Sequence, residues 1–486
     1  MKTIIRNCGV YDDTAPRNYR VNQDILIEGN TICWMGPTGG LQQGDLVINA
    51  QGKLAVPGLI NAHSHSSENV LRGSTERIPL EVWLVKNFGL TINYPPRLIY
   101  LMTLTGGAEM LRCGTTAVLD HFWMAEQLTV EGLNSVMQAY ADLGLRATVA
   151  PMVEDRDLIL DYAVRFNPSL NCYQTAQKTP LGVQLELINE LVLNWHNKEN
   201  GRLQCMPGPG GAQWCSSKLL TGCREIAQSN STGIHLHLAE TQVQSIVCRH
   251  SYGHSAVKEL NNLGLLTAGT SLAHCIWLDD DDLDIIKEQQ SVIIHNPESN
   301  LKLGSGIARL PEMLDRGIDV AIGTDGAGSN DTQNMFTALK LTGLLHSPAV
   351  RGSGAWVSAQ KVIEMATRGG AKALGYKNLG RLQTGNLADF MLVDLSRIQQ
   401  NPLTDAAIYL VYCEIGSAVT HVFVDGKLVV NERRIETIDE SLVHQELKEI
   451  IQTYNKQNEP AHENIAPLVN DWSLALKSML RDHGHP

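Results

Sequence analysis

Two histidines one residue apart, His63 and His65, close the run Val56-Pro-Gly-Leu-Ile-Asn-Ala-His63-Ser-His65. On an extended strand, residues i and i+2 share a side, so both imidazoles can reach one point at the strand end. A metal ion needs that geometry. A second run, Ile234-His-Leu-His237-Leu-Ala-Glu240, again sets two histidines on one strand face and adds a carboxylate. His237 lies nearer the C-terminal end of this strand, and Glu240 falls just past it, placed to meet a ligand. Buried carboxylates must be paired or neutralised, so they are uncommon without a task. His274 ends Leu272-Ala-His274, and Asp325 ends Ile322-Gly-Thr-Asp325. A single histidine at a strand end reads as an ordinary hydrogen-bonded residue. Six such groups that fall on one rim point to metal-assisted chemistry.

The elements that must position these groups read as strand, then helix, repeated. Apolar runs start at Thr116, Ala147, Leu203, Gly233, Leu272, Val292 and Asp319, and the opening strand brings them to eight. Helical patterns such as Ala256–Leu263 and Asp281–Gln289 separate most of them. Eight units of this kind fit an α/β fold, the (β/α)₈ TIM barrel, whose chemistry sits at the C-terminal strand ends. An open doubly wound sheet is the alternative, but no Gly-x-Gly-x-x-Gly turn follows any of these strands. The expected organisation is a barrel over 56–379, with a small composite β-sandwich domain built from 1–55 and 380–435. Both outer pieces carry short β-like runs, and chain termini tend to lie close together. A helical C-terminal tail over 436–486 follows, with helices Glu440–Asn455 and Pro467–Arg481 parted at Asn458-Glu-Pro-Ala. The insert near Asn167–Thr179 reads as a surface loop. The Asp279–Asp282 run reads as a helix N-terminus, where the dipole favours acidic side chains.

Composition narrows the class. The chain has 486 residues, 43% hydrophobic and 19% charged, which fits a globular protein of more than one core. A net charge of -12 argues against a nucleic-acid or anionic-membrane surface. The ten cysteines form no Cys-x-x-Cys pair, so they read as reduced thiols in a cytoplasmic protein. The N-terminal Met1-Lys-Thr-Ile-Ile-Arg-Asn lacks a signal peptide's apolar region, and no apolar stretch is long enough to span a bilayer.

The set His63-Ser-His65, His237-Leu-Ala-Glu240, His274 and Asp325 resembles the mononuclear branch of the amidohydrolase superfamily. The chain is most similar to its cytosine-deaminase-like group, which includes methylthioadenosine/S-adenosylhomocysteine deaminases, guanine-type deaminases and triazine hydrolases. The likeness runs from about Ile4 to Val430 through Leu71-Arg72-Gly73, Trp83-Leu84, Glu109-Met-Leu-Arg-Cys-Gly-Thr-Thr, His295-Asn-Pro-Glu-Ser-Asn and Gly385-Asn-Leu-Ala-Asp. It implies one divalent metal ion on His63, His65, His237 and Asp325, with Zn²⁺ placed ahead of Fe²⁺. Strand four, Leu203-Gln-Cys-Met, has no lysine to bridge a second metal. The resemblance makes Asp325 the acceptor of a water proton, Glu240 the donor to the substrate, and His274 the group that orients the attack. It further assigns Trp83 and Glu109 to substrate binding.

Two departures concern substrate. Where the methylthioadenosine/S-adenosylhomocysteine deaminases carry a histidine after Gly-Pro, this chain has Gly210, with Trp214 close by. Where they carry an arginine for the amino-acid carboxylate, it has Pro151. The expectation is a hydrolase that removes an amino group from a small, planar, nitrogen-rich substrate held by Trp83, Glu109, Gly210, Trp214 and Glu240. Alternatives are a chloro-triazine-type or ring-opening hydrolase and, more remotely, a non-enzymatic barrel. A homodimer or higher homo-oligomer is expected, with no nucleic-acid or membrane partner.

Overall fold

The computed structural model describes residues 2–483 except 41–42, 126–127, 174–178, 348–355, 397–401 and 464. Its barrel strands, first to eighth, are Leu59–Ser64, Thr115–Asp120, Arg146–Val149, Leu203–Cys205, Ile234–Leu238, Thr270–His274, Val292–His295 and Val320–Ile322. The first four pair in parallel as one half, and the last four as the other. The halves meet where Asp325 N donates to His63 O at 2.9 Å and His235 N donates to Pro207 O at 3.1 Å. Nearly every strand residue is buried. Parallel strands covered by helices bury both faces, which is why they read as unbroken apolar runs.

The covering helices show ordinary start and stop chemistry. Helix Val130–Leu143 begins where the Thr129 side chain accepts from Gly132 N and ends at Gly144, whose φ of 74° suits glycine. Leu133, Val136, Met137, Tyr140 and Leu143 share its buried face. The acidic run behaves as expected: Asp279 caps helix Asp280–Glu288 in a reciprocal box with Asp282. Arg249 and Arg309 pair with Asp279 and Asp280 at 2.6 and 2.7 Å.

Both chain ends contribute to one hydrogen-bonded, nine-stranded sheet. They join where Lys53–Pro57 runs antiparallel to Phe390–Asp394, with Met391 opposite Val56. Ile5, Ile25 and Ile27 share a core with Phe390, Leu392 and Phe423. Buried Arg146 of the third barrel strand reaches into this lobe, its guanidinium 2.8 Å from Asp389 and 3.2 Å from Asp425.

The tail differs from the sequence expectation. Its first helix, Glu440–Glu463, continues past Asn458 and through Pro460 before Ile465–Asp482 begins. At Pro460 the helix forgoes one i→i−4 hydrogen bond, which proline's missing N–H cannot supply. Trp472, Ala475, Leu476 and Met479 of the second helix pack in one cluster with Val82 and Trp214. Within the insert, Pro168–Tyr173 forms a 3-10 turn with Leu170 fully buried, whereas 174–178 lie outside the described residues. No described helix is long and apolar enough to cross a membrane.

Candidate metal centre

Three imidazoles and a carboxylate converge at the C-terminal rim of the barrel. His65 Nε2 lies 3.4 Å from His237 Nε2, and Asp325 Oδ1 lies 3.2 Å from the Nε2 atoms of both His63 and His65. Each ring is oriented from behind. His63 Nδ1 is 2.8 Å from His235 Nε2, and His235 Nδ1 is 2.8 Å from Ser271 Oγ. His65 Nδ1 is 2.6 Å from the His121 carbonyl, and His237 Nδ1 is 2.9 Å from the Gly210 carbonyl. Carbonyls can only accept, so His65 and His237 carry their hydrogens on Nδ1 and turn the Nε2 lone pairs inward. The His63–His235–Ser271 chain sets His63 the same way when each Nδ1–H donates outward. Such partners fix tautomer and ring orientation in metal sites.

Asp325 is equally constrained. Its Oδ2 accepts from Ser299 Oγ at 2.5 Å and Ser329 Oγ at 3.0 Å, and its Oδ1 accepts from Gly326 N at 2.9 Å. Both Asp325 (φ 66°) and His274 (φ 72°) adopt the left-handed backbone that non-glycine residues seldom use. Strain of this kind gathers at functional sites and is held there by surrounding structure.

Burial takes His63 down to about 3 and holds His237 well below the ordinary imidazole value, so both are neutral donors at pH 7. Burial also acts to lower His65, but Asp325 and Glu68 outweigh it and raise that group to about 9. Asp325 is lowered: burial opposes its charge, and its bonds to His63 and His65 override that. A shared proton therefore balances His65 and Asp325, at the spot where a divalent cation would replace it. Three imidazole nitrogens and one carboxylate oxygen form a donor set that zinc accepts. The observed convergence fits one such ion.

A cavity of about 40 Å³ opens onto this centre. Trp83, Phe88, Trp123 and Trp214 supply aromatic walls, and Glu68, Glu240, His274 and Asp325 also line it. Trp83 is fixed by its indole N–H, which donates to Gly328 O at 3.3 Å. Glu240 is 2% exposed, with Ser305 Oγ at 3.4 Å and His274 Nε2 at 3.8 Å. Burial, opposed by His274, pushes its carboxyl up to about 7. His274 Nδ1 lies 2.8 Å from Asn300 Oδ1, which leaves Nε2 toward the cavity.

Two residues expected to touch substrate stand differently. Glu109 lies outside the cavity lining; it pairs with Arg72 and accepts from Thr332 Oγ1 at 2.6 Å. Gly210 also lies outside the lining, and its carbonyl holds His237. A Cβ at Gly210 would stand 3.5 Å from Trp214 and 3.6 Å from Met152, both ordinary contact distances. Conversely, Glu68, Phe88, Trp123 and the orienting His235 were not expected. The signal for Glu68 was present, because His63-Ser-His65-Ser-Ser-Glu68 repeats the spacing of His235-Leu-His237-Leu-Ala-Glu240.

The Amidohydrolase family model matches residues 54–429. A 5-methylthioadenosine/S-adenosylhomocysteine deaminase of Acetivibrio thermocellus is 35% identical over 409 residues, 84% of this chain and 88% of that one. A 5'-deoxyadenosine deaminase of Methanosarcina mazei is 31% identical over 423 residues, 87% and 91% of the two chains. Among solved structures, an atrazine chlorohydrolase from Arthrobacter aurescens complexed with zinc superposes with a TM-score of 0.84. It is 25% identical, covering 92% of this chain and 100% of that one. The chain belongs to the amidohydrolase family and is a metal-dependent hydrolase of the deaminase kind.

Proposed function

We propose that the protein is a zinc-dependent aminohydrolase that releases ammonia from an amidine-type carbon of a flat, nitrogen-rich heterocycle. The observation that carries this reading is the pairing of two unlike carboxyl groups on one cavity. Asp325 is held ionised against His63 and His65, whereas Glu240 is pushed up to about 7 and can hold a proton. Environments that separate two such groups identify base and acid. When bound by His63, His65, His237 and Asp325, the cation supplies a Lewis acid that lowers the pKa of water toward neutrality.

Asp325 Oδ1 then takes one water proton as the water oxygen attacks the amidine carbon. Glu240 gives its proton to the adjacent ring nitrogen. With Nδ1–H turned to Asn300, His274 Nε2 accepts from the attacking water and orients it. As the exocyclic C–N bond breaks, Asp325 passes its proton to the leaving nitrogen, which departs as ammonia. The remaining hydroxyl proton returns to Glu240, and the product is a cyclic amide.

The aromatic walls favour a planar ring, and relatives named for adenosine-type substrates support an amino-heterocycle. Gly210 and Pro151 offer no side-chain donors for an amino-acid-bearing tail. Two absent charge-assisted bonds of roughly 1.5–3 kcal/mol each reduce selectivity by on the order of 10² to 10⁴. All cysteines that the structure describes are free thiols, which supports a reducing, cytoplasmic setting.

The test is a panel of amino-purines, pterins, pyrimidines and triazines, assayed for ammonia and, with chloro-triazines, for chloride. The expected outcome is ammonia release from a compact planar member, with kcat/KM above that for S-adenosylhomocysteine. Preference for the adenosyl compound by a wide margin would overturn the substrate reading. Chloride release without ammonia from any member would overturn the reaction.

A further inference from the structure

Glu68 has no part in the mechanism above, yet it is buried to 1% exposure and lines the same cavity. It follows His65 by three residues, as Glu240 follows His237 by three. Those histidines end the first and fifth of eight strands, which stand opposite one another around a closed barrel. One local device, used twice, thus brings a carboxylate to the cavity from each side.

The surroundings of Glu68 are built for an acceptor. Its Oε1 accepts from Trp123 Nε1 at 3.2 Å, and its Oε2 accepts from Gly328 N at 3.2 Å. Both neighbours donate, and each carboxylate oxygen keeps a second lone pair. The Gly326–Gly328 turn that follows Asp325 makes the room: a Cβ at Gly326 would overlap Glu68 Oε2, and one at Gly328 would stand 3.0 Å from it. No lysine or arginine forms an ion pair with Glu68 among the described residues. Burial pushes the Glu68 carboxyl up to about 7, and the nearby His65 offsets part of that cost. Because Glu68 lines the cavity, a ligand bound there can supply a further N–H to its free lone pairs.

Resting on the aminohydrolase reading, we infer that Glu68 is a specificity-determining residue that accepts an N–H from the edge of the substrate opposite the one Glu240 serves. The substrate class that satisfies both carboxylates is a flat heterocycle with N–H donors on two edges: one amino group to be lost and a second amino or ring N–H to be held. A ring with a carbonyl or bare nitrogen on the far edge faces Glu68 acceptor to acceptor, which the cavity rejects. Trp83 and Trp123, both lining the cavity, wall a planar ring between the two carboxylates.

The experiment compares zinc-loaded Glu240→Gln, slowed in turnover so that binding can be measured, with the double variant Glu240→Gln/Glu68→Gln. The probes are diaminopyrimidine, with two amino groups, and aminopyrimidine, with one. Calorimetry is expected to show the diamino compound bound about 10- to 100-fold more tightly by the single variant, as a charge-assisted hydrogen bond provides. In the double variant that ratio falls to near one, with zinc content unchanged. A ratio that survives Glu68→Gln, absence of diaminopyrimidine binding by the single variant, or loss of zinc on Glu68→Gln would each overturn the inference. Ammonia release by the wild-type protein is scored separately. The predicted ratio without ammonia from any panel member sinks the aminohydrolase reading alone, and ammonia with an unaltered ratio sinks the role of Glu68 alone.

Discussion

Glu240 and Asp325 are both buried carboxyls, and their neighbours alone make one an acid and the other a base. Asp325 touches two imidazoles; Glu240 has Ser305 at 3.4 Å and His274 at 3.8 Å. Glu240→Gln is therefore expected to retain zinc and ligand but lose roughly 10²-fold or more in rate. The sign of the pH effect follows from burial. Glu240 is raised to about 7, so its protonated form dominates below that value and is lost as pH rises through it. A profile of kcat/KM against pH should fall about tenfold per unit above about 7, a limb the glutamine variant lacks. A wild-type rate in that variant, with the limb intact, would remove Glu240 from proton transfer. At this scale the converging histidines were legible because period two and a strand end define where a side chain points. Glu68 carries the same spacing, but its Ser66-Ser67 context reads as a polar turn. Its burial depends on the Gly326–Gly328 turn, remote in sequence, which no local pattern announces. Glu109 failed to reach the cavity for a similar reason, since Arg72 and Thr332 occupy it.

Among elements, the barrel strands were readable as eight short apolar runs because burial on both faces leaves no alternation to confuse them. Contacts of the tail were not readable, since amphipathic periodicity shows that a face is buried but not against what. Helix Ile465–Asp482 lays Trp472 and Met479 into the cluster that holds Val82 and Trp214, one residue from Trp83 in the first case and a cavity wall in the second. The tail thus braces two walls of the substrate cavity from behind. Trp472→Ala should destabilise the fold by about 3–5 kcal/mol. Because a loosened wall misplaces the ring, KM should rise about tenfold while zinc content holds. An unchanged KM in a folded, zinc-replete variant would confine the tail to stability.

At the scale of the whole molecule, the terminal lobe and the barrel are tied by Arg146, a barrel residue whose partners Asp389 and Asp425 belong to the lobe. Paired termini were foreseeable from matching β-like texture, whereas a single nine-stranded sheet was not, because strand order depends on pairing between distant segments. What the assembly achieves is to hold strand ends one, five and eight so that His63, His65, His237 and Asp325 meet. Elemental analysis of the purified protein and of His237→Ala, each after zinc loading and gel filtration, tests that convergence most directly. One zinc per wild-type chain is expected, together with zinc-dependent ammonia release. A His237→Ala variant with native circular dichroism should hold little zinc and release no ammonia. Full zinc occupancy in that variant, or undiminished ammonia release after the metal is stripped from the wild type, would contradict the account.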